Sequence, residues 1–239
     1  MARCLDRTGL PYCYSTKTEI NFEGSEWAHY RFGVFDFQGM DAFCLENNVQ
    51  VIVNASHPFA SELHQTIHLL SQSRSITVLR YEREYAERVK SNLVTYLPSY
   101  ESVLQYLEEK KIKSLLALSG VQSIKKLKPY WQNRQAIFRI LPRDSSLLIA
   151  QESGFPLENL IAEFPASDIT HEISIIKKYA IECILTKESG ASGFLPTKIE
   201  AALKMQIRIL ILKKPSLPDS YISVCNEQDL IAHLSTITA

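Results

Sequence analysis

The chain has 239 residues, 26 Lys and Arg against 26 Asp and Glu, and 46% apolar residues. This ordinary, charge-balanced composition excludes disorder over any long segment and gives nothing global to draw the chain to nucleic acid or to an anionic membrane surface. The five cysteines (Cys4, Cys13, Cys44, Cys183, Cys225) lack metal-ligand or disulfide spacing and no apolar run reaches transmembrane length, so a reducing, cytoplasmic setting is expected.

In chain order, residues 2–8 read as the end of a helix stopped by Gly9. No apolar strand precedes them, so the first strand of an α/β half is expected to be missing. Short runs rich in β-branched and aromatic residues follow at 12–16, 29–34, 49–55, 76–81 and 93–97, then at 113–118, 136–141, 159–164, 181–186 and 207–212. Amphipathic stretches at 37–47, 58–73, 100–110, 123–131, 144–153, 168–179 and 197–205 alternate with them, and a strand at 222–225 and a helix at 227–234 close the chain. This alternation predicts an α/β protein built from parallel sheets. So many strands exceed one small sheet, so two doubly wound, Rossmann-like domains are expected, over residues 1–110 and 111–239. The charged stretch Glu108-Glu109-Lys110-Lys111 marks the boundary.

Ligands of such sheets sit beyond the carboxyl ends of the strands. One strand empties into Asn54-Ala55-Ser56-His57-Pro58-Phe59-Ala60, where Pro58 suits a first helical turn. Ser56 and His57 would then lie at a helix N-terminus that favours an anion, or Ser56 would simply cap the helix with His57 on the surface. A second strand empties into Lys187-Glu188-Ser189-Gly190-Ala191-Ser192-Gly193, with Lys198 on the next helix. Its glycines permit close backbone approach, its serines donate hydrogen bonds and its lysines neutralise anions, although an ordinary solvated connection has the same composition. Ser119-Gly120, Arg80, Arg83 and Arg139 also follow or close strands. His64 and His68 lie one helical turn apart without a third ligand, so they are read as helix-surface residues and no metal is expected.

Taken together, Asn54 to Ala60, Leu79-Arg80-Tyr81-Glu82-Arg83, Arg139-Ile140-Leu141-Pro142 and Lys187-Glu188-Ser189-Gly190 with Lys198 resemble the motif series of precorrin-6A and cobalt-precorrin-6A reductases. The resemblance runs from about Leu5 to the C-terminus. It implies two Rossmann-like domains with NADPH or NADH near an interdomain cleft, and reduction of one C=C bond of a tetrapyrrole-derived macrocycle bearing many carboxylates. On that basis His57 and Ser56 are expected at the reacting centre. Ser119, Gly120, Lys187, Ser189 and Gly190 are expected at the cofactor, and Arg80, Arg139 and Lys198 at substrate anions. The chain departs from the pattern at Asn54, where an aspartate is common, at Phe164-Pro165-Ala166-Ser167, and at Glu172, where an asparagine is usual. The Gly-Gly-Thr turn that the resemblance implies is expected to fall in the missing segment before residue 2. These departures motivate one alternative, a non-catalytic two-domain binding protein that has lost a working cofactor site.

Overall fold

The computed structural model describes residues 1–82, 85, 87–165, 167–189 and 193–237. Arg83 and Gly190, both singled out above, lie outside the described residues. The chain divides into two compact units, Met1–Glu84 with Ser216–Ala239, and Tyr85–Pro215.

In the first unit, α1 (Ala2–Asp6) leads to the strands β1 (Tyr12–Thr16) and β2 (Ala28–Phe32), which pair in parallel. After α2 (Phe37–Glu46), capped by the Asp36 carboxylate on the Gly39 amide, come β3 (Val51–Asn54), α3 (Ser61–Arg74) and β4 (Thr77–Tyr81). The C-terminal segment returns as β11 (Ile222–Val224) and α10 (Glu227–Ile237), giving a parallel sheet of order β11-β4-β3. Successive strand residues face opposite sides. Val78 therefore packs with Met40 and Cys44 of α2 and Ile67 and Leu70 of α3, while Leu79 packs with Leu5 of α1 and Leu230 and Leu234 of α10. A strand covered on both faces reads as a continuous apolar run, which is why this stretch was recognisable.

The second unit runs β5 (Val94–Leu97), α4 (Tyr100–Glu109), β6 (Ser114–Ala117), α5 (Ser123–Lys126), α6 (Lys128–Trp131) and β7 (Gln135–Ile140). It continues with α7 (Asp144–Glu152), β8 (Leu160–Ala162), α8 (Ile169–Lys178), β9 (Cys183–Lys187), α9 (Leu195–Lys204) and β10 (Arg208–Leu212). All pairings are parallel, in the order β5-β10-β9-β6-β7-β8. From β6 the chain steps outward through β7 and β8, then returns to lay β9 on the other side of β6. The topological switch point therefore falls between β6 and β9. One face carries Leu116, Ile137, Ile184 and Ile209 against Ile175, Ile176, Ile199 and Ala202 of α8 and α9.

The units differ from the expected division at residue 110. β5 hydrogen-bonds to β10, which brings residues 85–110 into the second unit, and β11 pairs with β4, which returns the C-terminal segment to the first. The helix expected over 123–131 is two short helices. Pro129 has no N–H to donate back to residue 125, so the first helix ends and a second begins with the proline in its opening turn. Among the described residues no helix is long and apolar enough to cross a membrane.

Candidate functional site

The carboxyl end of β3 is organised around Asn54, buried and in register with Arg80 on β4. Arg80 is wholly inaccessible to solvent. Its Nη1 donates to the Asn54 carbonyl at 3.2 Å, to Asn54 Oδ1 at 3.1 Å and to the Ser56 carbonyl at 3.0 Å, while Nε donates to Glu82 Oε1 at 2.8 Å. Its Nη2 has no hydrogen-bond partner among the described residues. A buried guanidinium N–H without an acceptor is a costly arrangement.

Ser56 does not cap the following helix. Its backbone and hydroxyl both donate to Asn54 Oδ1, at 3.2 and 2.7 Å. Residues 57–60 form a turn closed by the Ala60 amide on the His57 carbonyl, and α3 begins only at Ser61, so Pro58 precedes the helix instead of opening it. His57 is exposed, and its Nδ1 accepts from the Phe59 amide at 3.2 Å. His64, expected on the helix surface, is buried: Nδ1 lies 2.9 Å from Asn54 Nδ2 and Nε2 lies 3.2 Å from the His57 carbonyl. Burial, and then the Arg80 charge, push its pKa down. His64 shares a face with Ile67 and Leu70, also buried, and that three-residue spacing was the available signal in the sequence.

In the second unit, Ser119-Gly120 follow β6 and Lys187 ends β9, so both groups lie on the adjacent strands that flank the switch point. Gly120 adopts φ +86° with open space where a Cβ would stand. The Ser119 hydroxyl donates to Ser123 Oγ at 2.8 Å, and Ser123 donates to the Gly120 carbonyl at 2.6 Å, which fixes the turn. Burial, and secondarily the like charge of Lys126, push Lys187 down to about 8. The neighbouring Glu188 carboxylate is held by Arg88 at 2.8 and 3.1 Å and accepts from the Lys214 amide at 3.0 Å. Ser189 is buried, and any Cβ at Gly193 would overlap its hydroxyl.

Arg139 and Lys198 belong to one buried cluster in the same unit. Arg139 donates to Glu163 at 3.1 Å and to Glu172 at 2.7 Å, and His171 Nε2 lies 2.9 Å from Glu163. Glu172 Oε2 has no hydrogen-bond partner among the described residues. Lys198, 4% exposed, makes one weak contact to Thr186 Oγ1 at 3.4 Å. Burial and then Arg139 push it down to about 8, against the pull of Glu172. Thus Arg139 is taken up by protein carboxylates, and Lys198 is the cation here that retains hydrogen-bonding capacity. Among the described residues no group of three or more His, Cys, Asp or Glu is placed to hold a metal ion.

The sequence matches, over residues 1–235, the family described as precorrin-6x reductase CbiJ/CobK. It is 30% identical over 184 residues to the cobalt-precorrin-6A reductase of Priestia megaterium, spanning 75% of this chain and 71% of that one. It is also 22% identical over 217 residues to the cobalt-precorrin-6A reductase of Methanothermobacter thermautotrophicus (87% and 70% covered), and 26% identical over 196 residues to the precorrin-6A reductase of Rhodococcus erythropolis (80% and 73% covered). A solved structure described as CobK precorrin-6A reductase superposes with a TM-score of 0.70 at 15% identity, over 88% of this chain and 83% of that one, and supports the α/β fold. The chain belongs to the precorrin-6x reductase CbiJ/CobK family, whose members are oxidoreductases of cobalamin biosynthesis.

Proposed function

We propose that the chain reduces a precorrin-6A-type macrocycle, as the cobalt form or the cobalt-free form, with a reduced nicotinamide nucleotide, NADPH or NADH. The observation that carries this reading is the pairing of Ser119-Gly120 with Lys187 and Ser189 beyond the adjacent strands β6 and β9. Ligands of open parallel sheets bind at that position. The residues present fit a phosphate-bearing cofactor: two lysines, Lys187 and Lys126, repel one another, and Gly120 leaves the backbone open to close approach. Gly190, which lies outside the described residues, completes the proposed loop by sequence.

When bound, the reduced nicotinamide supplies a hydride to one carbon of a C=C bond, and the other carbon takes a proton. The chain's part is orientation and electrostatics. Arg80, through its unpartnered Nη2, and Lys198, through its sparsely bonded Nζ, are the proposed contacts of the substrate's carboxylates. Arg139 serves them indirectly, by holding Glu163 and Glu172 in place. Ser56 and His57 are the proposed contacts at the reacting centre. Because the Ser56 hydroxyl hydrogen is spent on Asn54, Ser56 faces a ligand as an acceptor.

Titration with NADPH and with NADH, following nicotinamide fluorescence, tests the reading. Saturable binding that Lys187→Ala weakens without unfolding the protein supports it. No binding at millimolar cofactor contradicts it and favours the non-catalytic binding protein.

A further inference from the structure

The amide orientation of Asn54 follows from counting donors. Ser56 N, Ser56 Oγ and Arg80 Nη1 converge on one atom at 3.2, 2.7 and 3.1 Å, and three donors can share only an oxygen. The atom 2.9 Å from His64 Nδ1 is therefore the amide nitrogen, which only donates. His64 Nδ1 must offer a lone pair, so the ring proton sits on Nε2, 3.2 Å from the His57 carbonyl, which only accepts. One neutral tautomer satisfies both contacts, and neither the other tautomer nor the imidazolium does.

The surroundings agree. The groups facing the ring are Arg80 and Glu82 from β4 and its end, and His57 from the turn. The Tyr221 hydroxyl donates to the His64 carbonyl at 3.0 Å, and His68 follows one turn later on α3. Burial and Arg80 disfavour the charged ring and outweigh the opposing pull of the His57 and Pro58 backbone and of Glu82. Asn54 contributes no charge to reverse this. An aspartate there could not donate to Nδ1 and would instead call for a proton on it.

We propose that Asn54 and His64 are positioning residues: the pair holds His64 as the neutral Nε2–H imidazole and, through its bond to the His57 carbonyl, sets the backbone from which Ser56 and His57 project. This rests on the reading of that turn as part of the reductase site. It assigns a function to two residues outside the set of proposed ligand contacts, and it turns the departure at Asn54 into a matched pair with His64.

The test is the long-range nitrogen–proton NMR spectrum of imidazole-labelled protein, with steady-state kinetics of three variants. In the unsubstituted chain His64 is expected as Nε2–H with no titration across neutral pH. In Asn54→Asp, Nδ1 gains a proton and the pKa of the ring rises above that of the unsubstituted chain. His64→Leu removes acceptor and donor and is expected to lower kcat/KM about tenfold, the equivalent of one lost hydrogen bond. His64→Gln offers both an acceptor and a donor and restores most of that loss. An Nδ1–H tautomer, or a His64 that titrates as an ordinary histidine in the unsubstituted chain, overturns the proposal, as does His64→Leu with undiminished kcat/KM. The tautomer is read from the ring itself, so a chain that shows it yet reduces no substrate refutes the reductase reading and leaves the pairing standing.

Discussion

Replacing Lys198 by methionine should stabilise the protein near neutral pH while impairing its reaction. The side chain is 4% exposed and its pKa falls from 10.5 to about 8, chiefly through burial. At 1.36 kcal/mol per pH unit, a protonated Lys198 costs the folded state about 3 kcal/mol. Below pH 8 both folded and unfolded chains carry the proton, so the cost is present in full. Between about 8 and 10.5 the unfolded chain binds the proton and the folded chain does not, so stability rises with pH; above 10.5 the cost is gone. Methionine fills the same volume without a charge. It also strips the weak donor from Thr186 and the nearby positive charge from Glu172, so the net gain at pH 7 is expected at about 1–3 kcal/mol. Denaturant unfolding at pH 7 and at pH 9.5 measures it: the variant is more stable at the lower pH, and its stability climbs less steeply between the two. A less stable variant at pH 7, or an unchanged climb, refutes the reasoning. A buried charge that costs stability is accounted for by use in binding, so KM for the substrate should rise in the same variant.

His57→Ala should change stability by less than about 1.5 kcal/mol, since the residue is exposed, yet turnover should fall steeply; calorimetry beside a rate assay separates the two. Arg80→Met should cost about 3–5 kcal/mol in denaturant unfolding, because it removes one partner of a buried ion pair with Glu82 and the guanidinium donor to Asn54 and to the Ser56 carbonyl. Gly193→Ala should cost about 1–3 kcal/mol by overlap with Ser189 and should weaken NADPH binding, and adding Ser189→Gly should restore the stability but not the binding.

The alternation of apolar runs and amphipathic stretches made most elements legible, because strands covered by helices on both faces, such as Leu115-Leu116-Ala117 and Ile184-Leu185, read as unbroken apolar runs. The division of the chain was not legible. Whether β5 joins β10 and β11 joins β4 is decided by pairings between residues more than a hundred positions apart, which the local pattern of a strand does not specify. At the site, the positions of Ser56 and Ser119 just beyond their strands, and of Arg80 and Lys187 within the carboxyl ends of theirs, could be read from the sequence, but their partners could not. His64 and Glu172 look like polar helix residues until their spacing to Ile67 and to Ile175 and Ile176 is weighed, which places each on a buried face. Asn54 and Glu172 both stand inside buried networks, on His64 and on Arg139.

The most direct test of the central claim is anaerobic incubation of the purified chain with precorrin-6A or its cobalt form and reduced nicotinamide, following cofactor absorbance and the mass of the macrocycle. Loss of the reduced-nicotinamide band in step with a macrocycle that gains two hydrogen atoms is the predicted result. Saturable cofactor binding with an unchanged macrocycle in both forms would contradict it.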